Sequence, residues 1–307
     1  MTPDIKTSSS QPVTRSKRIW IVISIPVIVC CLLLGLVLYQ TLGHKVQSDH
    51  GQSQHLQASG RQMKPVNNDE YRALQAVSHK PTKADSQGGL IVSKNGVGKP
   101  SDHVPTVDIY MDFLCPPCAE LHRALDPSLK KMVEAGQINV GIHTMDFLDR
   151  LRSDQYSSRA ASAIATIAEL DQYHVIDVVA SLYAQDFQPS EDDKTPITNE
   201  QLAHRIMSVG VSDAVAQQAA SGEYIEWAQK LNEYTKTRQE LMHTSGSYKG
   251  KLTTPTVIIN NTYVEEEETS STSTGYLEYL LKAIGLKSTE VGVAGKIPSI
   301  GATGRPL

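Results

Sequence analysis

Residues 104–118 read VPTVDIYMDFLCPPC, and the fold turns on this stretch. Val107, Ile109, Met111 and Phe113 alternate with Asp108, Tyr110 and Asp112. That is the period of two of a strand, whose successive side chains point to opposite faces. Cys115 follows at once, and 116–135 reads as a helix. Pro116 and Pro117 are tolerated in its first turn, where backbone N–H groups have no partner within the helix. The order strand, Cys-x-x-Cys, helix puts Cys115 at or beside a helix N-terminus. Unpaired N–H groups and the helix dipole favour an anion there, so the Cys115 thiol is expected below its free value of ~8.5. Cys118 lies one turn along and less exposed, and the pair closes into a disulfide with little motion.

A purely structural disulfide across two residues closes so short a loop that it stabilises little. A zinc site wants four ligands, commonly as two pairs. His122 gives C-x2-C-x3-H, but no second CxxC exists and His103 or His143 would have to be drafted. The remaining chemistry is thiol–disulfide exchange, with neither metal nor cofactor assigned.

Working outward, Leu90–Val92 is a short strand before the turn signal Asn95-Gly96. Pro127 predicts a kink or break in the CxxC helix near Asp126. Residues 138–143 form a second long strand. From 155 to 246 strand alternation disappears and helical stretches follow one another at 160–170, 173–184, 198 onward, 212–220 and 224–242. Thr198 with Gln201 makes a capping box. Strand character returns at 255–264, a hairpin turning at Asn260-Asn261, and Gly275–Ile284 is a last amphipathic helix. Glu265 to Glu268 reads as a solvated acidic loop. Strands flanking a helical block of about ninety residues predict an α/β core, 88–286, carrying a helical insertion, about 155–246. Residues 287–307, broken by Gly and Pro, read as a disordered tail.

Ahead of the core, Ile19–Tyr39 is uncharged, and 21 residues at ~1.5 Å each span a hydrocarbon core of about 30 Å. Lys6, Arg15, Lys17 and Arg18 precede it, and only Lys45 follows closely. The positive-inside rule therefore predicts a cytoplasmic N-terminus (1–18), one transmembrane helix (19–42) and everything later outside the cytoplasm. The uncharged run exceeds the apolar stretch of a cleaved signal peptide, and Thr41-Leu42-Gly43 is a poor cleavage site. Residues 43–87, rich in Gln, Ser, His and Gly, read as a flexible stalk, with a short helix at Asp69–Val77. Cys30 and Cys31 lie within the apolar run, which leaves Cys115 and Cys118 as the pair outside it. With 29 basic and 33 acidic residues, and a net charge of −4, the chain lacks the basic footprint of a nucleic-acid binder.

VDIYMDFLCPPC resembles the strand entering the CxxC helix in the DsbA-like branch of the thioredoxin superfamily. Thr253-Thr254-Pro255-Thr256-Val257 resembles that branch's cis-proline segment, beyond the helical insertion and before the last hairpin. MDFLDR at Met145–Arg150, followed by Tyr156-Ser-Ser-Arg-Ala-Ala, is similar to the membrane-anchored DsbA-like proteins of actinobacteria. The resemblance implies a thioredoxin-like fold with Cys115 as surface nucleophile and Cys118 as resolving cysteine. It also implies a cis Pro255, with Thr254 offering backbone to a substrate strand. The expected partners are secreted-protein thiols and a membrane reoxidant, DsbB-like or VKOR-like. Two departures stand out. No histidine lies between the cysteines, and the acid that relatives bury six positions before the first cysteine is Ile109. Asp108 or Asp112 could substitute as proton acceptor, although the strand pattern puts both on a solvent side. A reductase or isomerase, and a non-catalytic tethered binding module, remain as alternatives.

Overall fold

The computed structural model describes residues 67–264 and 273–307. The expected membrane segment, the stalk before residue 67 and the Glu265–Glu268 loop lie outside them. Among the described residues, no helix is long and apolar enough to cross a membrane.

Chain order is α1 (Asp69–Ala76), β1 (Leu90–Ser93), β2 (Gly96–Val97), β3 (Thr106–Asp112), α2 (Pro116–Glu134) and β4 (Asn139–Met145), then a 3-10 turn, Phe147–Leu151. The insertion supplies α3 (Tyr156–Leu170), α4 (Val175–Leu182), α5 (Asn199–Met207), α6 (Asp213–Ala220) and α7 (Ile225–Thr235). The chain returns to the sheet as β5 (Thr256–Ile259) and β6 (Thr262–Val264), and α8 (Ser273–Ile284) follows. The sheet order is β2-β1-β4-β3-β5-β6. Among the described strands, only β3 and β4 run parallel, with Ile109 opposite Ile142, and α2 makes the crossover that a parallel pair requires. On its other side β3 pairs antiparallel with β5, Tyr110 opposite Thr256. The β5–β6 turn falls at Asn260-Asn261 as expected, both with left-handed φ, the conformation of a tight hairpin turn.

Both faces of β3 are covered. Val107, Ile109 and Met111, with Phe113 just beyond the strand, join the main core with α2, α8 and most of the insertion. Tyr110 faces a second cluster with Met145, Leu241, Ile258 and Tyr263. The solvent-side expectation for Asp108 and Asp112 is therefore corrected. Asp112 is fully buried, and Asp108 meets His143 Nε2 at 2.9 Å. Within the insertion, α3 is lined with Ala and Ser, and Ala160, Ala163, Ile164 and Ile167 are inaccessible. Small side chains let α6 and α7 approach closely, and a larger residue at Ala163 would cost about 1–3 kcal/mol in overpacking.

Four further expectations change. The helix α2 continues through Pro127 without a break, Pro127 forgoing only its own backbone N–H bond. The stretch 224–242 divides, because Arg238 leaves the helix in extended conformation and buries its guanidinium against Tyr110 Oη (2.8 Å) and Glu240 Oε1 (2.9 Å). The region read as stalk is structured from Asp69 on, where the expected short helix forms. Helix α1, capped by Asn68, packs Leu74 against Trp227, Leu231 and Tyr234. The region read as a disordered tail is docked. Gln137, wholly buried, donates through Nε2 to Glu290 O (2.8 Å) and Lys296 O (2.9 Å) and accepts from Gly292 N (2.9 Å). Asn260 Nδ2 donates to Gly301 O (2.8 Å) and Gly304 O (2.7 Å). Composition hid this docking because the tail's hydrogen bonds to Gln137 and Asn260 use its backbone groups, which any residue supplies.

Candidate active site

Strand β3 ends at Asp112, whose carbonyl accepts from Cys115 N (3.0 Å) while Oδ1 accepts from Leu114 N (3.0 Å). This tight turn delivers Cys115 as the extended N-cap of α2, with φ −71° and ψ 118°. Pro116 and Pro117 are exposed at the first two helical positions. An N-cap group ordinarily draws on N–H donors of the second and third helical residues. Proline removes the first of these, leaving the N–H of Cys118.

Both thiols are free, Cys115 6% exposed and Cys118 fully covered. Cys115 is thus a rim group, less open than a surface nucleophile. Its thiol is held below the ordinary range, chiefly by a hydrogen bond from the Cys118 side chain, with Thr254 and the Cys118 backbone adding to it against the cost of burial. Burial first, and then the Cys115 sulfur, push the Cys118 thiol well above its usual value. Two chemically identical groups three residues apart are thereby driven in opposite directions, as a nucleophile and a resolving thiol require.

The segment facing Cys115 comes from beyond the insertion. The Thr254–Pro255 bond is cis, and Cys115 Sγ donates to Thr254 O at 3.2 Å. The structure therefore brings together all four residues singled out from the sequence: Cys115, Cys118, Thr254 and Pro255. His122 and His143, candidates for a metal site, are each engaged by an aspartate. His122 Nδ1 lies 2.8 Å from Asp126 Oδ1, and its ring stacks on Tyr183. No group of three or more candidate metal ligands occurs among the described residues.

Sequence reasoning named Asp112 only as a candidate proton acceptor and missed the other supports. Asp112 lies beneath the turn and accepts from Ser157 Oγ and, through Oδ2, from Leu148 N (3.0 Å). Burial pushes its carboxyl up to about 7. Tyr183 Oη donates to Asp112 O (3.0 Å), and its ring stacks on Phe113 at 5.0 Å. Gln188 Nε2 donates to Phe113 O (3.1 Å) and Cys115 O (3.2 Å). An aspartate at the end of a strand and three residues before the cysteine carries a local turn signal. Ser157, Tyr183 and Gln188 carry none, because their partners are 45 to 75 residues away.

A paired CxxC at the start of the crossover helix, opposed by a cis-proline loop, defines a thiol–disulfide oxidoreductase of thioredoxin type. The family model described as thioredoxin matches residues 97–279, more than half of the chain, and the chain belongs to that family. A helical insertion separates its βαβ unit from the hairpin. Among solved structures, it is similar to oxidised DsbA of Mycobacterium tuberculosis, at 28% identity and a TM-score of 0.47 over 58% of this chain and 85% of that one. It is similar also to MdbA, a thiol-disulfide oxidoreductase from Corynebacterium diphtheriae, at 25% identity and a TM-score of 0.46 over 64% and 98%. Among curated proteins, it is 32% identical over 143 residues to the serine/threonine-protein kinase PknE of Mycobacterium tuberculosis, covering 46% of this chain. The chain spans about a quarter of the length of the curated relatives it matches.

Proposed function

We propose that this chain is a membrane-anchored, extracytoplasmic oxidase that forms disulfides in secreted proteins. The observation that carries the reading is the opposed pair, Cys115 lowered and partly accessible, Cys118 raised and covered. In the oxidised protein, a substrate thiolate attacks Cys115 Sγ, the Cys115–Cys118 bond breaks, and Cys118 leaves as thiolate and takes a proton. A second substrate thiolate then attacks the substrate sulfur of the mixed disulfide, releasing oxidised product and the Cys115 thiolate, which a low pKa makes a good leaving group. Thr254 and Pro255 border Cys115 and receive the substrate backbone. The two electrons pass to a membrane reoxidant, DsbB-like or VKOR-like. The uncharged run at 19–39 and the basic residues before it support the anchor and its orientation.

Two measurements test this. Cys118→Ser, expressed with its anchor, should accumulate reductant-sensitive adducts with secreted proteins through Cys115, and Cys115→Ser should accumulate none. The Cys115–Cys118 potential, equilibrated against glutathione, should lie nearer the strong-oxidant end, about −120 mV, than the reducing end, about −270 mV. Absent adducts together with a potential at the reducing end would sink the oxidase reading.

A further inference from the structure

Three carbonyls of the redox turn, those of Asp112, Phe113 and Cys115, accept hydrogen bonds from side chains of one short stretch of the insertion, Tyr183 and Gln188. Gln188 holds two of them with a single amide nitrogen. Its own position is set by Gln188 N, which donates to Ala184 O (3.0 Å) in the turn closing α4. Arg123 of α2 ties the same stretch from below, donating to Tyr183 O at 2.9 Å. The side chain of Gln188 is half-buried, and it contributes nothing to the apolar core.

We propose that Gln188 is a positioning residue of the redox turn, through which the helical insertion sets the reactivity of Cys115. The need for it follows from Pro116-Pro117. A thiolate at an N-cap with several N–H donors tolerates a small rotation, because one donor compensates for another. Here the nearest backbone donor left is the Cys118 N–H, so the orientation of Cys115 has no such reserve. Its sulfur must face the thiol and N–H of Cys118, and the peptide planes that bound Leu114-Cys115, those of Phe113–Leu114 and Cys115–Pro116, govern that direction. Gln188 holds both planes by their carbonyl oxygens, sharing that of Cys115 with the helical Ala119 N–H (3.2 Å). This inference rests on the oxidoreductase reading, since it concerns the thiolate that reading employs.

The test is mass-resolved alkylation of Cys115 against pH in the reduced, detergent-solubilised full-length protein, with urea midpoints measured alongside. Wild type should react with a midpoint below that of free cysteine. Gln188→Ala should raise the midpoint by about half a pH unit, about a threefold loss of reactivity near neutrality, with an unchanged urea midpoint. Gln188→Glu keeps the length but, once ionised, cannot donate and turns a negative charge on the two carbonyls. Its midpoint should rise further than that of Gln188→Ala. A depressed wild-type midpoint with both variants superimposed on it overturns the clasp alone. So does a loss of reactivity that merely follows a fall in the urea midpoint. An undepressed Cys115 in wild type overturns the oxidoreductase reading and the clasp with it.

Discussion

The sulfur of Cys115 donates a 3.2 Å hydrogen bond to the carbonyl oxygen of Thr254, a residue 139 positions further along the chain. The nucleophile and the backbone that borders it come from opposite ends of the insertion and meet because β3 and β5 are hydrogen-bonded neighbours in register, Tyr110 opposite Thr256. The reactive centre is therefore a property of the assembled sheet, and its local electrostatics are open to direct tests.

Restoring an N–H at the second helical position should lower the Cys115 thiol further. Pro117→Ala adds one donor facing the N-cap. The alkylation midpoint of Cys115 should fall by about half to one pH unit, and the potential should become more oxidising. Because Pro117 is exposed, the urea midpoint should change little.

Stability should fall as pH rises from 4 to 7. Buried Asp112 keeps its proton up to about 7, while its ordinary value is 3.8. Between those values the unfolded chain has released this proton and the folded chain still binds it, so the advantage present below 4 is lost as pH climbs through 7. Three units correspond to a ceiling on the order of 4 kcal/mol. Asp146, raised to about 6 by burial, acts in the same direction. Urea midpoints of Asp112→Asn should show a flatter pH slope than wild type, with a residual slope from Asp146. Equal slopes would show that Asp112 is ionised in the folded protein throughout.

Removing the docked tail should cost stability. Ending the chain at Lys287 strips the buried Gln137 side chain of every tail partner and frees the Asn260 amide. An unsatisfied buried polar group costs roughly 1–3 kcal/mol, so the melting temperature should drop by several degrees. Gln137→Ala in the full chain should reproduce part of that loss. An unchanged melting temperature for both would show that these bonds contribute nothing.

Locking the insertion against the sheet depends on Ser157, whose hydroxyl bonds Asp112. Ser157→Ala removes that donor and should raise the Asp112 carboxyl further. The pH-dependent fall in stability should then extend above 7, read from the same urea series.

Much of this was legible in the sequence because it is written locally. The period of two at 106–113 marked β3, Asn260-Asn261 marked the hairpin, and Thr198 with Gln201 marked a helix start whose reciprocal bonds are both present. The same pattern misled at Asp108 and Asp112. Alternation reports a polar face, yet this face is covered by residues 236–263, and its acids are satisfied by His143, Ser157 and backbone N–H groups. The tail failed for a related reason, since Gln137 and Asn260 hold it by its backbone, and the two apolar side chains it packs on the core, Val291 and Ile300, carry no period. Cys115 and Cys118 were found by spacing, whereas Tyr183 and Gln188 act only through the fold.

The long separation between Cys115 and Thr254 also has a meaning in time. A ribosome adds about 5–20 residues per second, so Thr254 follows Cys115 out of the tunnel by roughly 7–28 seconds. For that interval the dithiol belongs to a nascent chain that has β3, α2 and the emerging insertion, but no β5 to cover them. Supports from the insertion, Ser157, Tyr183 and Gln188, arrive before the opposing loop does. Biogenesis thus sets an order on the centre: the turn is braced from one side while its other wall is still being made.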